Sequence, residues 1–360
     1  LKKDERQQQK DIRLEVNVMH MANELLSVPV ATGTVGIAAA SLSLVCHKAK
    51  NVIDSDSLAL MGVLGAFVFA AQMVNFQLPL MPGTSGHMVG AVLLAIILGP
   101  HAGAIVISSV IIVQCLIFQD GGLLALGCNI INMALVPTYI GYFIYRLTVK
   151  TSGKTHIAAM VACVIAIEAG AALVPIEAAL SGVLVVPLFT FMTTMLGVHL
   201  IIGVVEGIIT VAVLEYLQQV RPDLTLNPLP GKIRLSRKTA IVTLVVMTVI
   251  VGAGISLFAS ALPDGLEWSY AERPGHPHFK PIVVNDDAGI AAVDDFQSKY
   301  SPLPDYSIRS RATKQGGALP AHAARGWTSF AAVLGSAITM LLIWVTARIL
   351  RKKAVTTAMH

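Results

Sequence analysis

Residues 58–118 read LALMGVLGAFVFAAQMVNFQLPLMPGTSGHMVGAVLLAIILGPHAGAIVISSVIIVQCLIF, 61 positions without one Asp, Glu, Lys or Arg. A chain folding in water has to cover its surface with such side chains, so a stretch of this length belongs in a lipid bilayer. The rest of the 360 residues agrees: 13% are charged and 55% hydrophobic, against about 25% charged in a water-soluble domain. The fold class that follows is all-α, a polytopic membrane bundle of helices, each satisfying its own backbone in hydrocarbon. The cysteines Cys46, Cys115, Cys128 and Cys163 lie in or beside apolar runs with no CxxC spacing. They point to neither a zinc knuckle nor a disulfide framework.

Spans of about 20 apolar residues are expected near 25–46, 57–76, 87–99, 101–118, 124–146, 156–176, 198–217, 239–261 and 327–347. The third and fourth are short and meet at Gly99-Pro100, as a tight hairpin or two tilted half-helices. Residues 187–219 are too long for one crossing, so an interfacial helix from Pro187 and a break near Gly197 are expected before the span. Basic residues orient the chain. With the first span running inward, the inner loops carry Lys48, Lys50, Arg146, Lys150, Lys154, Arg221, Lys232, Arg234, Arg237, Lys238, Arg348, Arg351, Lys352 and Lys353. The short outer loops 77–86, 119–123 and 177–186 carry none. The expectation is a multi-pass protein of the cell membrane, its N-terminus outside and its C-terminus cytoplasmic.

The leader 1–18 conflicts with this orientation, because it places Lys2, Lys3, Arg6, Lys10 and Arg13 outside. It lacks the apolar core of a signal peptide. The expected reading is upstream-translated sequence with the physiological start at Met19; an ordinary polar tail is the other reading.

Polar groups at membrane depth are costly unless they find partners or line a cavity. They are few: Gln72, Asn75, Gln114, Gln119, Asp120, Asn129, Asn132, His199 and Glu206. Most belong to segments that end at the outer face, where the loop 79–87, PLMPGTSGH, also lies. Irregular backbone of that kind is tolerated only where it is protein-buried or lines a cavity. A polar outer pocket roofed by this loop is expected, and His20 and His87 converge on it. With Met19 as the first residue, its free amine, the ionised amide nitrogen of His20 and the His20 imidazole Nδ1 lie near one plane around a metal. His87 is then the natural remaining ligand. Such a nitrogen set suits Ni(II) and Cu(II), takes Co(II), and fits tetrahedral Zn(II) or the hard cations less well. Binding of this kind displaces protons and weakens below about pH 6. Taken alone, either histidine is more often a satisfied packing or loop residue than a ligand, and both readings stand at this level.

Met19-His20-Met21-Ala22-Asn23-Glu24-Leu25-Leu26-Ser27 resembles the start of the CbiM/NikM proteins, the substrate-binding components of energy-coupling-factor cobalt and nickel transporters. The resemblance runs through Leu60 to Phe76, Pro82-Gly83-Thr84-Ser85-Gly86-His87, Phe118 to Met133, Gly197-Val198-His199 and Gly203-Val204-Val205-Glu206-Gly207. It covers about 19–219, with Asn23-Glu24 standing where many members have Asp-Gly. It implies that metal is held by Met19, His20 and His87. Pro263-Asp264-Gly265-Leu266-Glu267 is similar to the PDGLE motif of the small CbiN/NikN companion, read from residues alone as turn chemistry at a membrane surface. The chain thus resembles a fusion. A seven-span M module occupies 19–228, and a two-span N module occupies 229–360, joined through Leu229–Arg234. The outer loop 262–325 is expected to be partly flexible, with His276 and His278 as solvated loop residues.

The resemblance implies no enzyme and no cofactor, Ni(II) or Co(II) as cargo, and as partners a CbiQ/NikQ-like transmembrane scaffold and CbiO/NikO-like ATPases. The lipid bilayer is its surroundings, and nucleic acid is not a partner. The residues agree that ATP hydrolysis lies elsewhere. Gly153-Lys154-Thr155 imitates the end of a phosphate loop, but Thr148 stands where its first glycine belongs. No HExxH occurs. Small-residue faces at Thr32/Gly36/Ala40 and Gly203/Gly207 are places for helix contacts, with the scaffold or within the chain. Glu206 is expected to pair with His199. A second reading is a stand-alone secondary carrier or membrane metal sensor, with Asp120 and Glu206 as proton-coupling groups.

Overall fold

The structure is a computed structural model that describes residues 20–50, 53, 55–220, 237–260, 262–270, 282–308 and 321–357. Helix α1 is Val28–Ala49 and α2 is Ser55–Gln72; the short strands β1 (Phe76–Gln77) and β2 (Ser85–Gly86) follow, paired antiparallel. The eight-residue α3 (Ala91–Leu98) meets α4 (Pro100–Phe118) at Gly99. Helix α5 is Leu126–Ser152, α6 Thr155–Leu180 and α7 Leu188–Val220. Helix α8 (Arg237–Val249) continues through wider and then tighter turns to Phe258, and the segment after it, expected from the sequence to be the outer one, holds α9 (Gly265–Tyr270) and α10 (Ala288–Tyr300). The last helix is α11, Ala321–Thr357.

Among the described residues, seven helices are long and apolar enough to cross a membrane. Their exposed faces are oily: Val35, Ile37 and Leu44 on α1, Leu200, Val204 and Ile208 on α7, Leu341 and Trp344 on α11. In water this would be an aggregating surface, and in a bilayer it is the lipid face. Helix α1 is the extreme case, burying only Ala31, Ala38, Val45 and Ala49, one line of contact. Its Thr32, Gly36 and Ala40 are exposed. Gly203 and Gly207, in contrast, pack within the chain against Val164 and Met160 of α6.

Two expectations about spans are corrected. The third segment does not cross: α3 is about 12 Å long, and it folds back along α4 as one arm of the hairpin. The irregular chain before it, 73–90, is exposed at Gln77, Pro79, Leu80, Pro82 and Gly83 and buried from Thr84 to Met88. There Gly86 packs on Ile202 of α7 and Gly90 on Val68 of α2. Irregular backbone is tolerated where it is buried in protein in this way. The break expected near Gly197 is absent, and α7 runs unbroken for 33 residues. A lone glycine costs a helix only about 1 kcal/mol, less than exposing broken backbone at a membrane would cost.

Helix α5 contains one wide turn, Ile130–Leu135, just before Pro137. Proline has no N–H to donate to the preceding turn, and the slack is taken up there. This turn carries Asn132 inward, where its Nδ2 donates to Glu177 Oε2 of α6 at 2.7 Å. Helix α11 lies against α2, and Gly335 sits where a Cβ would fall 2.1 Å from the Phe69 ring. The close approach of those two helices joins the C-terminal part of the chain to the bundle.

Candidate metal centre

The segment His20–Leu26 is laid into place by side chains that imitate backbone pairing. Asn129 Oδ1 accepts the Met21 N–H at 3.0 Å, and its Nδ2 donates to the Met21 carbonyl at 3.2 Å. Gly122 N donates to the same carbonyl at 3.0 Å. Asn23 Oδ1 in turn accepts from Leu124 N at 2.8 Å and Ala125 N at 3.2 Å. The approach is so close that a Cβ on Gly122 would stand 2.0 Å from Asn23 Oδ1. The unusual Asn23 therefore has a defined seat.

His87 is brought in by the buried loop. Glu206 on α7 accepts from Val89 N at 2.7 Å and Gly90 N at 3.0 Å, so it caps the start of α3. It does not pair with His199, whose Nδ1 lies 2.8 Å from the Met195 carbonyl. Gln114 Nε2 donates to Gln72 Oε1, and Gln72 Nε2 donates to the Val89 carbonyl, both at 2.8 Å. Two of the intramembrane amides and the buried glutamate thus hold the backbone just after His87.

The two rings meet at a cavity of about 70 Å³ lined by His20, His87, Asn129, Asn132, His199 and Asp264, among others. His20 is 1% exposed and His87 8%, and neither Nε2 has a hydrogen-bond partner. Their ring centroids are 5.9 Å apart. An ion about 2 Å from a ring nitrogen lies about 3 Å from that ring's centre, so rings sharing one ion sit up to about 6 Å apart. The separation fits one shared ion. Among the described residues no group of three His, Cys, Asp or Glu side chains stands ready to hold a metal. The two imidazoles therefore need donors from elsewhere. Met19 and the leader 1–18 lie outside the described residues, as do His276, His278 and the joint Leu229–Arg234.

A carboxylate stands behind each ring. His20 Nδ1 is 2.8 Å from Asp120 Oδ1, and His87 Nδ1 is 3.8 Å from Asp264 Oδ2. Chelation through Nδ1 of His20 consequently needs that ring to turn about its Cβ–Cγ bond, away from Asp120. Burial, helped by the charge of His20, holds the His87 imidazole down at about 3. The ring keeps its lone pair throughout the neutral range. Burial alone would raise Asp120, but His20 and the Tyr306 hydroxyl, which donates to it, together bring it below the ordinary carboxylate range.

Much of the outer segment, expected to be partly flexible, is docked on this site. Asn285 Nδ2 donates to the Leu26 carbonyl at 2.8 Å, and Asn23 Nδ2 to Asp294 Oδ1. Gln297 accepts from Leu123 N at 2.8 Å and donates to the Gly121 carbonyl at 2.9 Å. With Tyr306 and Asp264, these residues touch all three stretches that carry the site. The sequence signalled only Asp264, within its pentapeptide, and there as a turn. The others are ordinary polar residues whose partners lie 174 or more positions away.

Bundle and cavity together define a polytopic membrane protein with two buried imidazoles on one small internal cavity. The family model described as CbiM, cobalt uptake substrate-specific transmembrane region, matches residues 20–224, and the PDGLE domain model matches 238–352. The chain belongs to the CbiM family. A putative fused nickel transport protein NikMN of Archaeoglobus fulgidus is 38% identical over 197 residues, 54% of this chain and 65% of that protein. The chain thus spans just under two thirds of that relative. A probable fused nickel transport protein LarMN of Lactiplantibacillus plantarum is 29% identical over 305 residues, 81% of this chain and 89% of that one. Among solved structures, a truncated transition metal transporter is 31% identical with a TM-score of 0.50, covering 55% of this chain and 98% of that one.

Proposed function

We propose that this chain is the substrate-specific membrane component of an energy-coupling-factor importer. It captures Ni(II) or Co(II) from outside with the Met19 amine, His20 and His87. A CbiQ/NikQ-like scaffold and CbiO/NikO-like ATPases then drive uptake across the cell membrane. The observation that carries this reading is the pair of buried imidazoles on one cavity, at a separation one ion can bridge. The relatives that carry both units are named for nickel, which favours nickel as the cargo. The stand-alone carrier or sensor is told apart by reconstitution: metal transport by this chain alone, without ATP, would favour it.

In this mechanism the chain's own residues do three things. Asn129 and Asn23 present His20, Glu206 and the two glutamines present His87, and the outer segment excludes water above both. The free amine at Met19 is essential, because the two rings alone leave the ion undercoordinated. The test is nickel titration of purified chains beginning at Met19, with His20→Ala, His87→Ala and a chain carrying one extra residue before Met19. All three are expected to lose binding at least 100-fold. Full affinity with the terminus extended overturns the terminal-amine site, and full affinity in both histidine variants overturns the reading as a whole.

A further inference from the structure

We infer that Asp264, the acidic residue of the PDGLE pentapeptide, is a positioning residue for the metal-binding ring of His87, so that the C-terminal unit completes the metal site of the N-terminal one. This rests on the reading of His87 as a ligand.

The carboxylate is held by backbone zipped to the histidine loop. Ser85 N donates to the Pro263 carbonyl at 2.8 Å, Ser85 Oγ donates to the Leu262 carbonyl at 2.7 Å, and Ser85 and Asp264 form a parallel bridge. Ser85 is two residues from His87. Asp264 Oδ1 accepts the Glu267 N–H at 2.8 Å, capping α9, and Oδ2 lies 3.8 Å from His87 Nδ1, just beyond hydrogen-bond length from a nitrogen that has no other partner. Asp264 is 4% exposed. A carboxylate behind Nδ1 cannot also share an ion bound at Nε2, so it acts through the ring. It fixes the tautomer with hydrogen on Nδ1 and the lone pair on Nε2, the arrangement in which carboxylates commonly support metal-bound histidines. Coordination at Nε2 makes Nδ1–H a stronger donor, and the remaining gap closes to a hydrogen bond. Tyr306, also from the C-terminal unit, donates to Asp120, the carboxylate beside His20 Nδ1.

The test uses the full chain beginning at Met19, with nickel as the probe. Asp264→Asn keeps the cap on α9, since asparagine caps as well as aspartate, and removes only the carboxylate. Nickel affinity is expected to fall 10- to 100-fold, mostly as faster release, with helix content unchanged. In a His87→Ala background, Asp264→Asn is expected to change the residual binding less than two-fold. Wild-type affinity in Asp264→Asn, while His87→Ala loses binding, overturns this inference and leaves the metal site standing. An equal loss in both backgrounds also overturns it, because the residue then acts by another route. Full binding in His87→Ala overturns the site reading itself.

Discussion

Replacing Asn129 by alanine isolates how far metal affinity depends on a prepositioned N-terminal segment. The amide makes two hydrogen bonds to the Met21 backbone, at 3.0 and 3.2 Å. The Met21 carbonyl keeps its bond from Gly122 N, but its N–H loses the acceptor Asn129 provides. A net hydrogen bond is worth about 1 kcal/mol and an unsatisfied buried donor about 1–3 kcal/mol, so the docked segment loses about 2–4 kcal/mol. The ion has to supply that ordering when it binds. At about 1.4 kcal/mol per decade, nickel affinity falls about 30- to 700-fold. Isothermal titration of the chain beginning at Met19 measures this directly, with circular dichroism as the check that the bundle persists. An Asn129→Ala chain with full helix content and affinity within two-fold of the parent refutes the reasoning: His20 would then not depend on this clamp.

Gly122→Ala places a methyl 2.0 Å from Asn23 Oδ1, and overpacking of this kind costs about 1–3 kcal/mol; nickel titration should show a loss comparable to that of Asn129→Ala. Glu206→Ala leaves the amides of Val89 and Gly90 without their carboxylate, about 1–3 kcal/mol for each buried donor left unsatisfied, and a lowered thermal midpoint in detergent checks it. Burial, with the nearby Asp264 charge, raises Glu267 to about 8. The folded chain therefore holds a proton that the unfolded one releases from about pH 4 upward. The stability contributed by docking falls as pH rises from there toward 8. Hydrogen exchange of 282–308, corrected for intrinsic rate, should accelerate between pH 5 and 8; protection that grows with pH would contradict this. Because His87 is held at about 3, protons compete for the ion at the other nitrogens. Nickel binding near neutral pH should displace protons from those nitrogens and none from His87, as proton counting by calorimetry in buffers of different ionisation enthalpy can determine.

The membrane character, the approximate spans and the two histidines are legible in the chain itself, because each is a local property. A helix in hydrocarbon satisfies its own backbone, so an uncharged apolar run reports its surroundings without reference to any distant residue. Where the reading failed, distance was the cause. Gly197 looks like a break only if nothing outside α7 is considered, and 87–99 looks like a span because its apolar residues serve a buried loop and a half-helix equally well. Glu206 and His199 lie on one helix and suggested a pair; the acceptor role of Glu206 is set by the loop at Val89 and Gly90, 116 and 117 positions away.

Sequence alone determined that this chain lives in a bilayer and that His20 and His87 are the rings to watch, since composition and motif are carried in consecutive residues. Only the tertiary structure decided what stands behind those rings. Asp120 backs one and Asp264 the other, and Tyr306, Gln297 and Asn285 reach the same place from an outer segment that looks like a solvated loop. The physical reason is that a polar side chain's role depends on its partner. These partners are brought together by the packing of the C-terminal helices on the bundle, and no spacing along the chain records that.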